Sequence, residues 1–310
     1  MTLHIIKPGL QTTIQDGGRP GNLRWGLSRG GAADTLAMAL GNLLLGNPPA
    51  HPCIEVALTG PEIAFTESLS LAVTGAHFDL TLNGKSVAND EVLQIRGGDQ
   101  LHFGALRSGA RAYIALAGKM ALPASLGSLS THVVAGFGGL HGRALQAGDS
   151  IHLDHCRLEA NRTLPSQYRL DYRGRPLLRV IPGLEEQYFS SGARAQFYRG
   201  GFTISPQSNR MGIRLVGEPL PVENIPQQIS SALCPGTIQV PPNGQPVISF
   251  VEGQTIGGYP RIAHVISADL HRLGQLNAGA RLDFETVDRD TAHRILHDKS
   301  LLLERLPHKL

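Results

Sequence analysis

Residues 71–85 read LAVTGAHFDLTLNGK, and their pattern decides the fold class. Two runs, 71–74 and 78–82, are β-branched or alternate apolar with polar side chains, the period-2 signature of a strand with one buried face. Between Leu82 and Lys85 stands Asn83-Gly84, two residues that tolerate positive φ and so favour a two-residue hairpin turn. Strand, turn and returning strand follow from this stretch alone.

The same signature recurs outward along the chain. Residues 112–116 (AYIAL) and 247–251 (VISFV) are short apolar runs of strand length. GDQLHF at 98–103, GDSIHL at 148–153 and GARLDF at 279–284 each place a turn before an alternating strand. Their spacing is too irregular for a solenoid, and they read as turns into strands that close separate barrel-like sheets. Helical periodicity is clear in two places. Residues 34–45 (DTLAMALGNLLL) open on the N-cap candidate Asp34 and stop at Gly46-Asn47-Pro48, and residues 288–306 predict a C-terminal surface helix. Residues 156–175 are polar, basic and weakly patterned, as a linker would be. The expected architecture is mainly β: a β-rich domain over 1–160, a β-barrel domain over 176–287 and a helix over 288–310.

Composition agrees. With 310 residues, 41% hydrophobic and 17% charged, the chain can bury a core and is not of the disordered class. Its 37 glycines and 20 prolines call for many turns and few long helices. A net charge of +3, with the basic residues scattered, argues against nucleic acid as a partner. The three cysteines, Cys53, Cys156 and Cys234, give neither a disulfide framework nor a CxxC metal pair. Residues 1–9 lack a signal peptide's charged start and apolar core, and no apolar run approaches the ~20 residues that span a bilayer. The cytoplasm is the expected compartment.

Four segments combine glycines with polar side chains beyond what a hairpin needs. In 11–21 (QTTIQDGGRPG), Gln15 and Asp16 stand beside glycines that permit close backbone approach, to a ligand or to another chain. The segment 28–34 (SRGGAAD) runs into the first helix. Its N-terminal N–H groups could attract an anion, but Asp34 at the cap satisfies those donors. In 205–215 (SPQSNRMGIRL), Ser208, Asn209, Arg210 and Arg214 suit a carboxylate, because a guanidinium donates two parallel hydrogen bonds. The alternative is a salt bridge to a neighbouring acid. The richest segment is 236–261, where Gln239 and Gln254 match an amide or ureido ring, Tyr259 can stack and donate, and Gly257-Gly258 could aim backbone amides at an oxyanion. No catalytic residue declares itself. Neither a Walker A loop nor a GxSxG elbow occurs, and His152, His155 and Cys156 lack the further ligands of a metal site.

With these segments in view, the chain resembles the KipA family, also called allophanate hydrolase subunit 2 or the biotin-dependent carboxyltransferase family. Its members include the C subunit of 5-oxoprolinase (PxpC) and part of urea carboxylase. The matching stretches run in order: GLQTTIQDGGRPG, GGAAD with LLLGN, RAYIALAG, LGSLST, GFGG, SNRMGIRLVG, IQVPPNGQP and QTIGGYPRIAHVISADL. Departures include Ile256 where the family often has threonine, Lys119 for glycine and Glu252 for aspartate. Asn209, aspartate in many relatives, resembles the 5-oxoprolinase branch. The resemblance implies two cyclophilin-like β-barrel domains, a B subunit of the KipI/PxpB type and an A subunit of the LamB/YcsF (PxpA) type. It implies an assembly that opens a small anionic lactam, 5-oxo-L-proline, to L-glutamate with ATP. A carboxyltransferase using biotin, or a regulator that binds a KipI-like partner, are the alternatives it leaves open.

Overall fold

A computed structural model describes residues 1–222 and 229–310, in two compact units. The first comprises Met1–Arg19, Gly30–Arg173 and Leu303–Leu310; the second comprises Pro20–Arg29 and Gly174–Leu302. Both are built mainly from β-strands.

Strands of the first unit are β1 (Thr2–Lys7), β2 (Gln11–Gln15), β3 (Cys53–Ala57), β4 (Glu62–Phe65), β5 (Leu69–Leu82), β6 (Lys85–Val87), β7 (Val92–Ile95), β8 (Gln100–Leu116), β9 (Lys119–Met120) and β10 (Ser150–Asp154). They form one ten-stranded sheet of order β2-β3-β8-β4-β1-β10-β9, with β5 branching from β8 and carrying β6 and β7. It curls into a half-barrel around Leu3, Ile14, Ile54, Phe65, Val73 and Ile114. Residues 71–82 fall in one strand, β5, where two runs were expected. Gly75, at φ +96°, lies where the β5–β8 register shifts, and an added Cβ would stand 2.6 Å from the Arg111 carbonyl oxygen. The strand therefore bulges and continues. The turn is as the sequence requires, with Asn83 at φ 52° and Gly84 at φ 77° between paired Leu82 and Lys85.

Helix α1 (Thr35–Leu44) starts where Asp34 accepts a hydrogen bond from Ala37 N at 2.8 Å, so Asp34 serves as its cap. Met38, Leu40 and Leu44 pack with Ala72, Tyr113 and Ala115. Beneath the cap, Tyr113 donates its hydroxyl to Glu55 Oε2 at 2.7 Å and accepts from Asp34 N at 2.7 Å. Burial, then the Glu55 charge, raises the phenol's pKa well above the ordinary range, so it remains a donor. Ala33 N donates to the same Glu55 oxygen at 2.8 Å.

The second unit contains β11 (Leu177–Pro182), β12 (Phe202–Ile204), β13 (Gly212–Val216), β14 (Ser231–Ala232), β15 (Thr237–Gln239), β16 (Val247–Ser249), β17 (Ile256–Gly257), β18 (Arg261–Val265) and β19 (Arg281–Thr286). Seven of these close a barrel in the order β11-β18-β15-β16-β13-β12-β19, sealed by the parallel pair β11–β19 from Leu177↔Asp283 to Val180↔Thr286. The GARLDF run thus supplies the closing strand. Val180, Ile204, Ile213, Leu215, Ile238, Ile248 and Leu282 are buried on these strands, leaving the barrel filled by its own side chains. Strands β14 and β17 pair outside the barrel as a two-stranded arm. Helix α2 (Ser191–Arg199) was not anticipated, because only Ala193 and Phe197 bury an apolar face, too few to set a period. It is held by the Ser190 cap and by Phe197 stacked on Phe284 at 4.6 Å. Helix α3 (Arg289–Arg305) fills the expected C-terminal position. No helix among the described residues is long and apolar enough to cross a membrane.

Replacing Tyr113 by Phe strands the buried Asp34 amide and removes a donor from Glu55. Tyr113→Phe is expected to destabilise the protein by about 1.5–3 kcal/mol, read as a lower urea midpoint at unchanged slope.

Candidate functional site

Alternation along the barrel strands sorts side chains into two sets. On β13, Ile213 and Leu215 point inward while Gly212, Arg214 and Val216 face out. On β16, Val247 and Ser249 flank the inward Ile248. Register then places unlike residues side by side, since Arg214 pairs with Val247 and Val247 pairs with Gln239. Arg214 and Gln239 flank Val247 across two strand spacings, roughly 10 Å between Cα atoms.

This row floors a cavity of about 500 Å³ on the outer face of the barrel. One wall comes from Ser205, Gln207, Asn209 and Met211, another from Pro241, Asn243 and Gln245, and a third from Leu233, Gln254 and Tyr259. The loop before β13 is braced by its own side chains. Asn209 Oδ1 accepts from Met211 N at 2.8 Å, and Ser208 Oγ accepts from Arg214 N at 3.0 Å. These two residues therefore hold the turn that delivers Arg214. Gln245 bonds Gly217 through both ends of its amide, at 3.1 and 3.0 Å, fixing the opposite loop. Gln239 Nε2 donates to the Tyr259 carbonyl at 3.0 Å, which leaves Oε1 as its acceptor. Arg214 is exposed and forms no ion pair among the described residues.

Of the residues singled out in the sequence, Asn209, Arg214, Gln239, Gln254 and Tyr259 line this one cavity. Ser208 stands behind it. Arg210 does not line it: the side chain is 4% exposed and bonds Glu252, itself buried, so the salt-bridge alternative describes this arginine. Gly257 lies in the arm opposite Ser231, where an added Cβ would meet Leu233 Cδ1 at 2.6 Å and Gln239 Nε2 at 2.9 Å. It adjoins the cavity's side chains without lining it, and Gly258 follows it, half-buried and likewise outside the lining.

Gln15 and Asp16 belong to the first unit, inside a buried cluster of polar groups. The Asp16 carboxylate accepts from Gly18 N at 2.8 Å, Leu129 N at 2.7 Å and the Ser128 hydroxyl at 2.6 Å, with the Ser130 hydroxyl also bonded. Buried Gln15 donates to Thr13 Oγ1 and Thr131 O, each at 3.1 Å. Arg19, 1% exposed, stacks on Phe137 at 4.7 Å. The close approach that glycines permit here is made by the chain itself: a Cβ at Gly138 would stand 2.1 Å from the Ser130 carbonyl oxygen.

Val247, Ser249, Val216 and Leu233 line the cavity and were not singled out. The first two sit in the VISFV run, whose strand character was legible. Their outward side was not, because register cannot be read from one strand. Among the described residues no group of three or more His, Cys, Asp or Glu side chains gathers as a metal site would require.

The two arginines of this loop are expected to behave oppositely. Glu252→Ala leaves the buried Arg210 charge without its carboxylate and should cost about 3–5 kcal/mol. Arg214→Ala should change stability by no more than about 0.5 kcal/mol; chemical denaturation of the two variants checks both.

A model of the carboxyltransferase domain, subdomain A and B, matches residues 25–286. The chain is 36% identical to the 5-oxoprolinase C subunit of Haemophilus influenzae, over 98% of this chain and 97% of that protein. It is 35% identical to the 5-oxoprolinase C subunit of Escherichia coli, over 99% and 98%. Among solved structures, the K. lactis urea amidolyase superposes with a TM-score of 0.92 at 26% identity, covering 98% of this chain and 20% of that one.

Proposed function

From the premise that this chain belongs to the carboxyltransferase domain family, subdomain A and B, we infer that it is the C subunit of an ATP-dependent 5-oxoprolinase. That enzyme opens 5-oxo-L-proline to L-glutamate. The full-length likeness to two proteins of that name supports the reading. The observation that carries it to residues is the Arg214–Val247–Gln239 row. A five-membered lactam acid has a carboxylate, an apolar ring edge and an amide, and the row offers a guanidinium, an isopropyl group and an amide.

Arg214 pairs with the carboxylate, since Arg210 is held by Glu252. Val247 carries the ring methylenes. Gln239 Oε1 accepts from the lactam N–H, and the Gln254 amide donates to the lactam oxygen. Opening the ring adds one water across the C–N bond, hydroxyl to the carbonyl carbon and proton to the nitrogen. Negative charge grows on the oxygen as this happens, and a donor already aimed at it lowers the barrier. Among the described residues the lining has one guanidinium and no carboxylate, which suits a small monoanion better than a magnesium-bound triphosphate. ATP cleavage is accordingly assigned to the partner subunits, a KipI/PxpB-like B subunit and a LamB/YcsF-type (PxpA-like) A subunit, with which this chain is active.

A second reading is favoured by the urea amidolyase likeness. The same two glutamines suit the ureido ring of biotin, and the chain would then be the carboxyltransferase component of a urea or amide carboxylase.

In the complex reconstituted with both partners, Arg214→Ala is expected to raise KM for 5-oxoproline about 10- to 100-fold, the loss of a hydrogen-bonded charge, with KM for ATP unchanged. Undiminished 5-oxoproline-driven ATP cleavage after omission of this chain would remove the assignment. Biotin-dependent carboxylation of urea by the same mixture would install the second reading.

A further inference from the structure

The cross-strand row does not end at Gln239. On its other side Gln239 pairs with Arg261 of β18, at a shift in register. Arg261 is 14% exposed and is gripped by Glu185, 11% exposed. Its backbone N–H donates to Glu185 Oε2 at 3.1 Å, and both Nε and Nη2 bond the same carboxylate. The remaining arm of the guanidinium, Nη1, donates to the Ala232 carbonyl at 3.3 Å. Ala232 is in β14, the strand that pairs with β17. Hydrogen bonds from Arg261, held by Glu185, draw that carboxyl below the usual glutamate range, so the pair is charged at neutral pH.

We propose that the Glu185–Arg261 pair is the positioning element of the cavity, aiming Gln239 and holding the β14–β17 arm as its wall. The inference rests on the 5-oxoproline reading of that cavity. Three connections meet at Arg261. Along the row it stands against Gln239. Through the backbone it is two residues from Tyr259, whose carbonyl fixes the Gln239 amide. Through Ala232 it holds the strand next to Leu233, which lines the cavity and whose Cδ1 lies against Gly257. A partly buried ion pair is a poor source of stability, because desolvation offsets most of its attraction. Its planar fork does fix direction, and direction is what an amide reading a lactam edge needs. Arg261 and Glu185 are positioning residues and touch no substrate.

Glu185→Gln in the reconstituted complex should raise KM for 5-oxoproline about tenfold or more, as misplacement of a binding group does, with KM for ATP unchanged. A merely structural role would instead lower kcat in step with the folded fraction and leave KM alone, and that result overturns the proposal. Should Glu185→Gln fail to fold, Arg261→Lys decides. It keeps the charge beside Glu185 and loses the planar fork together with the Nη1 bond to Ala232. A raised KM for 5-oxoproline supports the proposal, and an unchanged one rejects it. Arg214→Ala, assayed in parallel, separates the two levels. If it alone raises KM, the positioning role falls and the site stands; if none of the three does, the site falls and the positioning role with it.

Discussion

Closure of the second unit's barrel is the constraint on which the site depends. The parallel pair β11–β19 joins the ends of the sheet, and once the ring is closed the register of every strand is fixed relative to its neighbours. A slip of one residue would turn an entire strand inside out, sending Ile213 and Leu215 to solvent and Arg214 into the core. The hydrophobic interior thus enforces the polar row outside. Arg214, Val247, Gln239 and Arg261 are neighbours because Ile213, Ile248 and Ile238 have to be buried.

Arginine–carboxylate pairs then pin the segments that register leaves free. Arg210–Glu252 ties the loop before β13 to the turn after β16, reinforced by Glu252 N donating to Arg210 O at 2.8 Å. Arg179–Asp269 fastens β11 to the helical turn at Ser267–Gln275. Glu185–Arg261 fastens the chain after β11 to β18. Each holds an irregular segment in place, where apolar packing alone would fix no single orientation. The three differ in what lies next to them, and only the last adjoins a side chain of the cavity through the cross-strand row.

Much of this was legible in the sequence. The LAVTGAHFDLTLNGK stretch yields its strands and its Asn83-Gly84 turn from local rules, and Asp34 declares itself as a cap. The Gln239, Gln254 and Tyr259 cluster was found by the density of amide groups among glycines. What local rules miss is long-range. The assignment of Arg210 to Glu252 spans 42 residues and that of Glu185 to Arg261 spans 76, so no spacing in the chain announces either. The runs 71–74 and 78–82 are joined through a bulge at Gly75, because the partner strand β8 runs on past it. The QTTIQDGGRPG run shows the same limit. Its polar residues and glycines are as dense as those of a binding loop, yet the Asp16 carboxylate is taken up by Ser128, Leu129 and Ser130, more than a hundred residues on.

The placement of the cavity outside the barrel has a physical consequence for how the site must work. A seven-stranded barrel of this size is filled by its own Ile, Leu and Val side chains, and the cavity lies on the outer face. A site there is roofed by loops and not by the sheet. Its floor is rigid, but Gln254 and Tyr259 are exposed, and the amide groups that would surround a lactam are in contact with water. Hydrogen bonds to developing charge are worth far more when water is excluded. An outer-face site therefore reaches full strength only when another surface covers it. Under the 5-oxoprolinase reading proposed above, this chain supplies the floor of the site and a partner subunit completes the enclosure.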